Sequence, residues 1–349
     1  MSTGSSADDF LRQAEADKLR LEKEKAERAA REEVRQLLRM LDIERERADE
    51  AEQALDFALS IQKPPTRQPI PVRPARANSA IPVIVASDWH VGETVDPRTV
   101  AGRNTYDPSV AKKRATRFFQ SSVRLIQLAR SGVKIDTAVF AVLGDIITGY
   151  IHEELEESNS LSPTEEVLFA LELITSGIDF LLDHGKLRRL IVPCCYGNHG
   201  RTGKQRKVST AARNSFEWLM YQVLGKLYAN DKRVEVLISD GAHLYLDIHG
   251  RVLRFHHGDD IRYQGGVGGL SIPMRKAIDS WAHFRDCDFT ICGHWHQLLF
   301  GPDFVVNGSL IGYSAYALSV KARFEHPQQA FFLIDKDYGR TLMAPIRVE

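Results

Sequence analysis

The chain has 349 residues, 43% of them hydrophobic, with Lys plus Arg and Asp plus Glu equal at 46 each. That is enough for a sizeable core in one large domain or two ordinary ones, and no overall charge points to a nucleic-acid or membrane partner. No apolar run of about 18 residues and no signal-type segment occurs, and the four cysteines lack C-x-x-C spacing, so a soluble protein of the reducing cytoplasm is expected.

From Asp8 to about Ser60 the sequence is rich in Ala, Glu, Lys, Arg and Leu and free of Gly and Pro, which predicts one long helix. Val34, Leu41, Ala48 and Leu55 repeat at one heptad position and Ala30, Leu37, Ala51 and Ala58 at the other, with Glu44 interrupting the stripe. Residues 1–61 are therefore read as a coiled-coil helix through which the chain pairs with a second copy or with a partner protein. The first 60 residues hold 11 basic and 16 acidic side chains, leaving 35 basic and 30 acidic for the remainder. Residues 62–80 contain five prolines and three arginines, a composition that favours extended backbone and predicts a linker.

Residues 81–349 alternate strand-like and helical runs, as an α/β domain does. Strands are predicted at IPVIVA (81–86), TAVFAVLG (137–144), RLIVPCCYG (189–197), RVEVLIS (233–239), AHLYLDI (242–248), RVLRFHHG (251–258), FTICGHWH (289–296), DFVVNGS (303–309) and QQAFFLID (328–335). Helices are predicted over 109–130, 163–184, 209–228 and 271–285. Five strand ends carry residues that a fold alone does not require: Asp88 and His90, then Asp145, then Asn198 and His199, then His256 and His257, then His294 and His296. Residues i and i+2 of an extended chain share a side, so Asp88 with His90, and His294 with His296, can converge. Two divalent ions about 3.5–4 Å apart need a bridging carboxylate with neutral nitrogen and oxygen donors around it, which is this assortment. Alternation along the strand puts His256 and His257 on opposite faces, so one of the two points inward.

In order, D-x-H (Asp88, His90), G-D (Gly144, Asp145), G-N-H (Gly197, Asn198, His199), H-G (His257, Gly258) and G-H-x-H (Gly293, His294, His296) resemble the signature of the calcineurin-like metallophosphoesterase superfamily over about residues 81–310. The resemblance implies a four-layer αββα sandwich of two mixed sheets with a two-metal site at one edge. It further implies that Asp88, His90, Asp145 and His296 hold one ion and Asp145, Asn198, His257 and His294 the other, with Asp145 as the bridge. Two divalent ions are the implied cofactors, Mn²⁺ first and Fe, Zn, Mg or Ni as alternatives. The implied reaction is in-line attack of hydroxide on phosphorus, with His199 as the general acid that protonates the leaving alkoxide. The chain departs from the family pattern at Thr148, where a second Asp often follows G-D. GDIITG and GNHG also lack the continuations of the protein-phosphatase branch, while SDWHVG is similar to the opening of the repair-nuclease branch.

Arg201, Lys204 and Arg206, followed by Lys207 and Arg213, succeed His199 closely and predict a grip on further phosphates, as nucleic acid would require. Arg103, Lys112, Lys113, Arg114, Arg117, Arg262, Arg275 and Lys276 could extend such a track. The acidic stretch from His152 to Glu157 lacks H-E-x-x-H and predicts a capping helix near the site; RYQGGVGGLS, Arg262–Ser271, lacks a phosphate-loop lysine and predicts a substrate-side turn. The expected function is a two-metal phosphodiester hydrolase, a nuclease acting on DNA. The alternatives are a small-molecule or cyclic-nucleotide phosphodiesterase or phosphomonoesterase and, in another class, a non-catalytic coiled-coil adaptor.

Overall fold

The computed structural model describes residues 5–60, 69–70, 78–262 and 269–349. The linker predicted over 62–80 and the glycine-rich turn over 262–271 fall largely outside them. The chain divides into two compact units, Met1–Val72 and Arg73–Glu349. In the first, α1 runs as one helix over Ser5–Ser60. Arg20–Glu24, Arg35–Glu32 and Arg47–Glu44 form ion pairs along it. Val34, Leu37, Leu41 and Leu55 of the heptad stripe are each about half exposed or more.

The second unit begins with β1 (Ala80–Ala86), α2 (Pro108–Ala129), β2 (Thr137–Val142), α3 (Glu153–Ser158), α4 (Pro163–His184), β3 (Arg189–Cys194), α5 (Phe216–Leu227) and β4 (Val234–Ile238). It continues with β5 (Leu244–Ile248), β6 (Arg251–Phe255), α6 (Ser271–Ala282), β7 (Phe289–Cys292), β8 (Leu299–Phe300), β9 (Phe304–Val306), α7 (Ala315–Ser319), β10 (Gln328–Asp335) and β11 (Gly339–Arg347). Two mixed sheets result, ordered β11-β10-β1-β2-β3-β4 and β5-β6-β7-β9-β8. β1, β2, β3 and β4 are parallel, as are β6, β7 and β9, so the carboxyl ends of the strands in each run lie on one side of its sheet.

Alternation along the strands sorts the core into layers. Val83 and Val85 of β1 and Val139 and Ala141 of β2 meet Leu253 and Phe255 of β6 and Ile291 of β7 between the sheets. Ile84, Ala86, Phe140 and Val142 face the other way, against α2, α4 and α5. Met274 and Ile278 of α6 cover Phe304 and Val306 on the outer face of the second sheet. The architecture is the expected αββα sandwich. Strands buried on both faces read as continuous apolar runs because neither face meets water.

Local signals explain the helices. Asp107 caps α2 by accepting from Val110 N, with Pro108 at the first position, and Ser162 with Glu165 forms a capping box on α4. The helix predicted from 209 starts later, because Ser215 caps α5 through Trp218 N after a short 3-10 turn over Ala212–Asn214. β8, α7 and β11 have no strong sequence signal. β11 is an edge strand paired in its sheet with β10 alone, where Pro345 and the exposed Leu342, Met343 and Arg347 are tolerated. Among the described residues no helix is long and apolar enough to cross a membrane.

Candidate metal centre

The five motif blocks follow the carboxyl ends of β1, β2, β3, β6 and β7, where parallel strands of α/β folds leave a crevice for ligands. The loops are bonded to one another through backbone: Asp88 N donates to Gly144 O (3.0 Å), His90 N to Asp145 O (3.1 Å), Val91 N to Ile146 O (3.0 Å) and Gly293 N to His257 O (2.7 Å). β1 ends at Ala86, so Asp88 and His90 are not carried on extended backbone. Asp88, His90, Asp145, His294 and His296 instead all adopt left-handed φ values of 49–71°. A left-handed non-glycine residue costs on the order of 1–3 kcal/mol, and such strain collects at functional sites. Asp88 and His90 do come together, through tight turns beyond the strand end rather than through the pleat, whereas His294 and His296 fall in different donor groups.

Three groups of donor atoms emerge, each with its atoms within 4.8 Å of one another: Asp88, His90 and His296; His90, Asp145 and His199; and Asp145, His257 and His294. His90 Nε2 lies 3.3 Å from His296 Nε2, which is 3.3 Å from Asp88 Oδ1. His257 Nε2 lies 3.0 Å from Asp145 Oδ2, 3.1 Å from Asn198 Oδ1 and 3.2 Å from His294 Nδ1. Asp88, His90, Asp145 and His257 are buried. His256 turns away, its ring 5.0 Å from Trp281 and 5.3 Å from His243.

This donor set suits a cation. The Nδ1–H of His257 donates to Leu143 O (2.8 Å), which leaves Nε2 to present a lone pair toward a carboxylate oxygen, an amide oxygen and a second imidazole nitrogen. Such atoms repel one another unless a proton or a metal ion lies among them. For His257 burial works against charge, but the Asp145 carboxylate outweighs it and holds the imidazolium well above its usual range. Burial pulls His90 and His294 down, His294 to about 4, so they present neutral nitrogens. His296 is raised by Asp88 against the effect of burial.

His199 donates its backbone N–H to Asp145 Oδ1 (2.8 Å), and its ring Nδ1 bonds Thr148 O (2.8 Å), so Nε2 remains for chemistry. Thr148, where the family pattern often has Asp, serves through this carbonyl. Burial lowers the His199 pKa, opposed by Asp145 and the bond to Thr148. The cations predicted for substrate divide. Arg201 Nη1 lies 3.4 Å from Asn198 O, beside the donors. Lys204 is paired with Glu153 (3.1 Å) and Glu156 (3.7 Å) of α3, and Arg206 with Asp259 (3.0 Å) and Asp260. Arg201, Arg206 and Lys207 line a cavity of about 290 Å³ next to Asn198 and His257, with Asp259 and Asp260 on the same wall. Two members of the longer basic track are taken up elsewhere: Arg114 is buried and bonded to Leu310 O, Ile311 O and Asn104, and Arg275 is paired with Asp303.

Four buried polar residues support the loops and were missed in the sequence. Gln329 of β10 accepts from Ser87 N and Trp89 Nε1 and donates to Gly308 O; Asn307 donates to Ser87 Oγ, which in turn bonds Asp88. Glu217 of α5 accepts from Ile146 N and Gly197 N, and Glu166 of α4 accepts from Thr148 N and Gly149 N. Burial raises both carboxyls to about 7, the Asp145 charge adding to the rise at Glu217.

No protein-family model and no curated protein matches the sequence. Among solved structures, the chain is similar to a predicted phosphoesterase of Streptococcus pneumoniae at 13% identity, covering 77% of this chain and 91% of that one with a TM-score of 0.30. Zinc-complexed Vps29 of Entamoeba histolytica matches at 14% identity over 76% of this chain and 100% of that one, TM-score 0.30. A hypothetical protein of Pyrococcus horikoshii matches at 13% identity over 77% and 89%, TM-score 0.38. These are distant structural likenesses.

The closeness of the loops gives a test. A β-carbon on Gly293 would sit 2.3 Å from Ser87 Oγ and 2.5 Å from Asp88 Oδ2. Gly293→Ala is expected to push Asp88 aside, destabilising the protein by about 1–3 kcal/mol in urea denaturation and weakening Mn²⁺ binding by roughly 10–100-fold in calorimetric titration. Unchanged stability and affinity would show that Asp88 is not held where the crowding implies.

Proposed function

We propose that the chain is a two-metal-dependent phosphodiester hydrolase and that its substrate is DNA. The observation that carries this reading is the run of donor groups around Asp145: it stands with His257 and His294 in one and with His90 and His199 in another, and His90 in turn belongs to the group of Asp88 and His296, while Asn198 lies against His257. The same ordered residues carry the metallophosphoesterase resemblance. The donors include only two carboxylates, Asp88 and Asp145, too few to neutralise two divalent ions, so positive charge is left for a phosphate. Mn²⁺ is the ion proposed first, for the carboxylate and amide oxygens, while the imidazoles equally suit Zn, Fe or Ni. When bound, such ions polarise phosphoryl oxygens and stabilise charge developing at phosphorus.

In this reading His199 keeps its Nδ1–H on Thr148 O and delivers a proton from Nε2 to the leaving oxygen. Arg201, beside Asn198, is the cation assigned to a flanking phosphate. Lys204 and Arg206 are occupied by neighbouring carboxylates and would add little grip until released. The four cysteines are free thiols, which supports a reducing compartment such as the cytoplasm.

The test compares Mn²⁺-dependent hydrolysis of bis(p-nitrophenyl) phosphate, p-nitrophenyl phosphate, and single- and double-stranded DNA. Asp145→Ala is expected to abolish all turnover. His199→Ala should lose DNA cleavage by about 10²–10⁴-fold but p-nitrophenyl ester cleavage far less, because nitrophenolate leaves without a proton. Ester cleavage without DNA cleavage would replace DNA by a small diester, and no turnover with any divalent metal would favour the adaptor.

We also propose that α1 pairs with α1 of a second copy. The heptad positions support this. Sedimentation equilibrium of the full chain should give a dimer, and Leu37→Asp with Leu41→Asp a monomer. A monomeric parent chain would contradict the pairing.

A further inference from the structure

Glu217 is fully buried, and the proposed chemistry gives it no task. Its two carboxylate oxygens are divided between two loops. Oε1 accepts from Ile146 N (2.6 Å) and, at longer range, Ile147 N (3.4 Å); Oε2 accepts from Gly197 N (2.6 Å). Ile146 adjoins Asp145 and Gly197 adjoins Asn198, so one carboxylate ties together the two loops that carry these donors. Their backbones nearly touch: a β-carbon on Gly197 would lie 2.1 Å from Asp145 Oδ1, and one on Gly144 would lie 2.3 Å from Gly197 N. The start of α5 is anchored on the Asn198 side, through Phe216 N to Gly200 O (2.7 Å) and an isolated bridge between Arg201 and Ser215. Glu217 thus travels with one loop and reaches across to the other.

We infer that Glu217 is a positioning residue whose carboxylate sets the spacing between the Asp145 and Asn198 loops, and with it the placement of the two donor groups on either side of Asp145. The inference rests on the two-metal reading above. A carboxylate is required because both loops present N–H groups, and only an acid offers an acceptor to each. In Glu217→Gln one loop keeps its acceptor while the other meets an amide N–H, donor against donor, at nearly unchanged volume.

Glu166 supplies the comparison. It is equally buried and also accepts two backbone N–H groups, from Thr148 (3.1 Å) and Gly149 (2.8 Å), but both donors belong to the Asp145 loop and both meet the same oxygen, Oε2, so Glu166 does not itself bond the two loops together. Full-length wild type, Glu217→Gln and Glu166→Gln are titrated with Mn²⁺ by calorimetry and examined by electron paramagnetic resonance at saturation. Wild type should bind two Mn²⁺ with an exchange-coupled spectrum. Glu217→Gln should bind one ion at least about tenfold more weakly, replace the coupled spectrum by that of isolated Mn²⁺, and lose kcat on bis(p-nitrophenyl) phosphate about tenfold or more with KM unchanged. Glu166→Gln should keep the coupled spectrum.

Wild-type affinity and coupling in Glu217→Gln would overturn the inference, as would equal loss in both variants, which would indicate general loosening. A wild type without coupled Mn²⁺ would instead overturn the two-metal reading itself. Should Glu217→Gln not fold, Glu217→Asp keeps both acceptors but shortens their reach. It should likewise lose the coupling, and retained coupling would overturn the inference.

Discussion

The structure turns on the crowding of electron-rich atoms around Asp145. Its carboxylate faces His257 Nε2 on one side and accepts the His199 N–H on the other, while Asn198 and His294 press against the same imidazole. Buried groups that repel one another persist only when the surrounding backbone leaves them no alternative. Here the loops are bonded directly to each other, so none can withdraw without breaking a ladder that continues from the sheets. A proton or a divalent ion lying among these atoms would relieve the crowding.

That arrangement explains where the fold holds its buried polar residues. Gln329 and Asn307 fix Ser87, and with it the turn into Asp88; Glu217 and Glu166 satisfy backbone N–H groups of the turn after Asp145. An unmatched buried N–H costs about 1–3 kcal/mol, so each acceptor is a substantial part of a loop's stability. The apolar layers do the complementary work. Parallel β1, β2 and β3 and parallel β6 and β7, packed face to face, bring five strand ends together, and the left-handed turns then aim the side chains inward.

Much of the site was legible in the sequence because each block combines a strand end with residue types that only a polar site requires there. The choice of His257 over His256 came from the His-Gly block of the family resemblance; both lie past the end of β6, and their rings face different surroundings. The reason assigned to Asp88 with His90, pleat geometry, was incomplete, since those residues stand past the end of β1 in left-handed backbone that no local pattern announces. The supporting acids were invisible for another reason. Glu217 follows the Ser215 cap and Glu166 follows Glu165 of the capping box, first-turn places where a Glu is ordinary and usually exposed. The cations misled in the opposite sense: Arg206 and Arg114 read as free charge, but acids and carbonyls distant in sequence occupy them. β11 escaped because an edge strand needs only one bonded side and tolerates Pro345.

The central claim, that Asp145 stands between two metal ions, is tested most directly by anomalous X-ray scattering from crystals of the full chain grown with Mn²⁺. The account predicts two manganese peaks about 3.5–4 Å apart, with Asp145 between them, one beside Asp88, His90 and His296 and the other beside Asn198, His257 and His294. A single peak, or peaks away from Asp145, would contradict it.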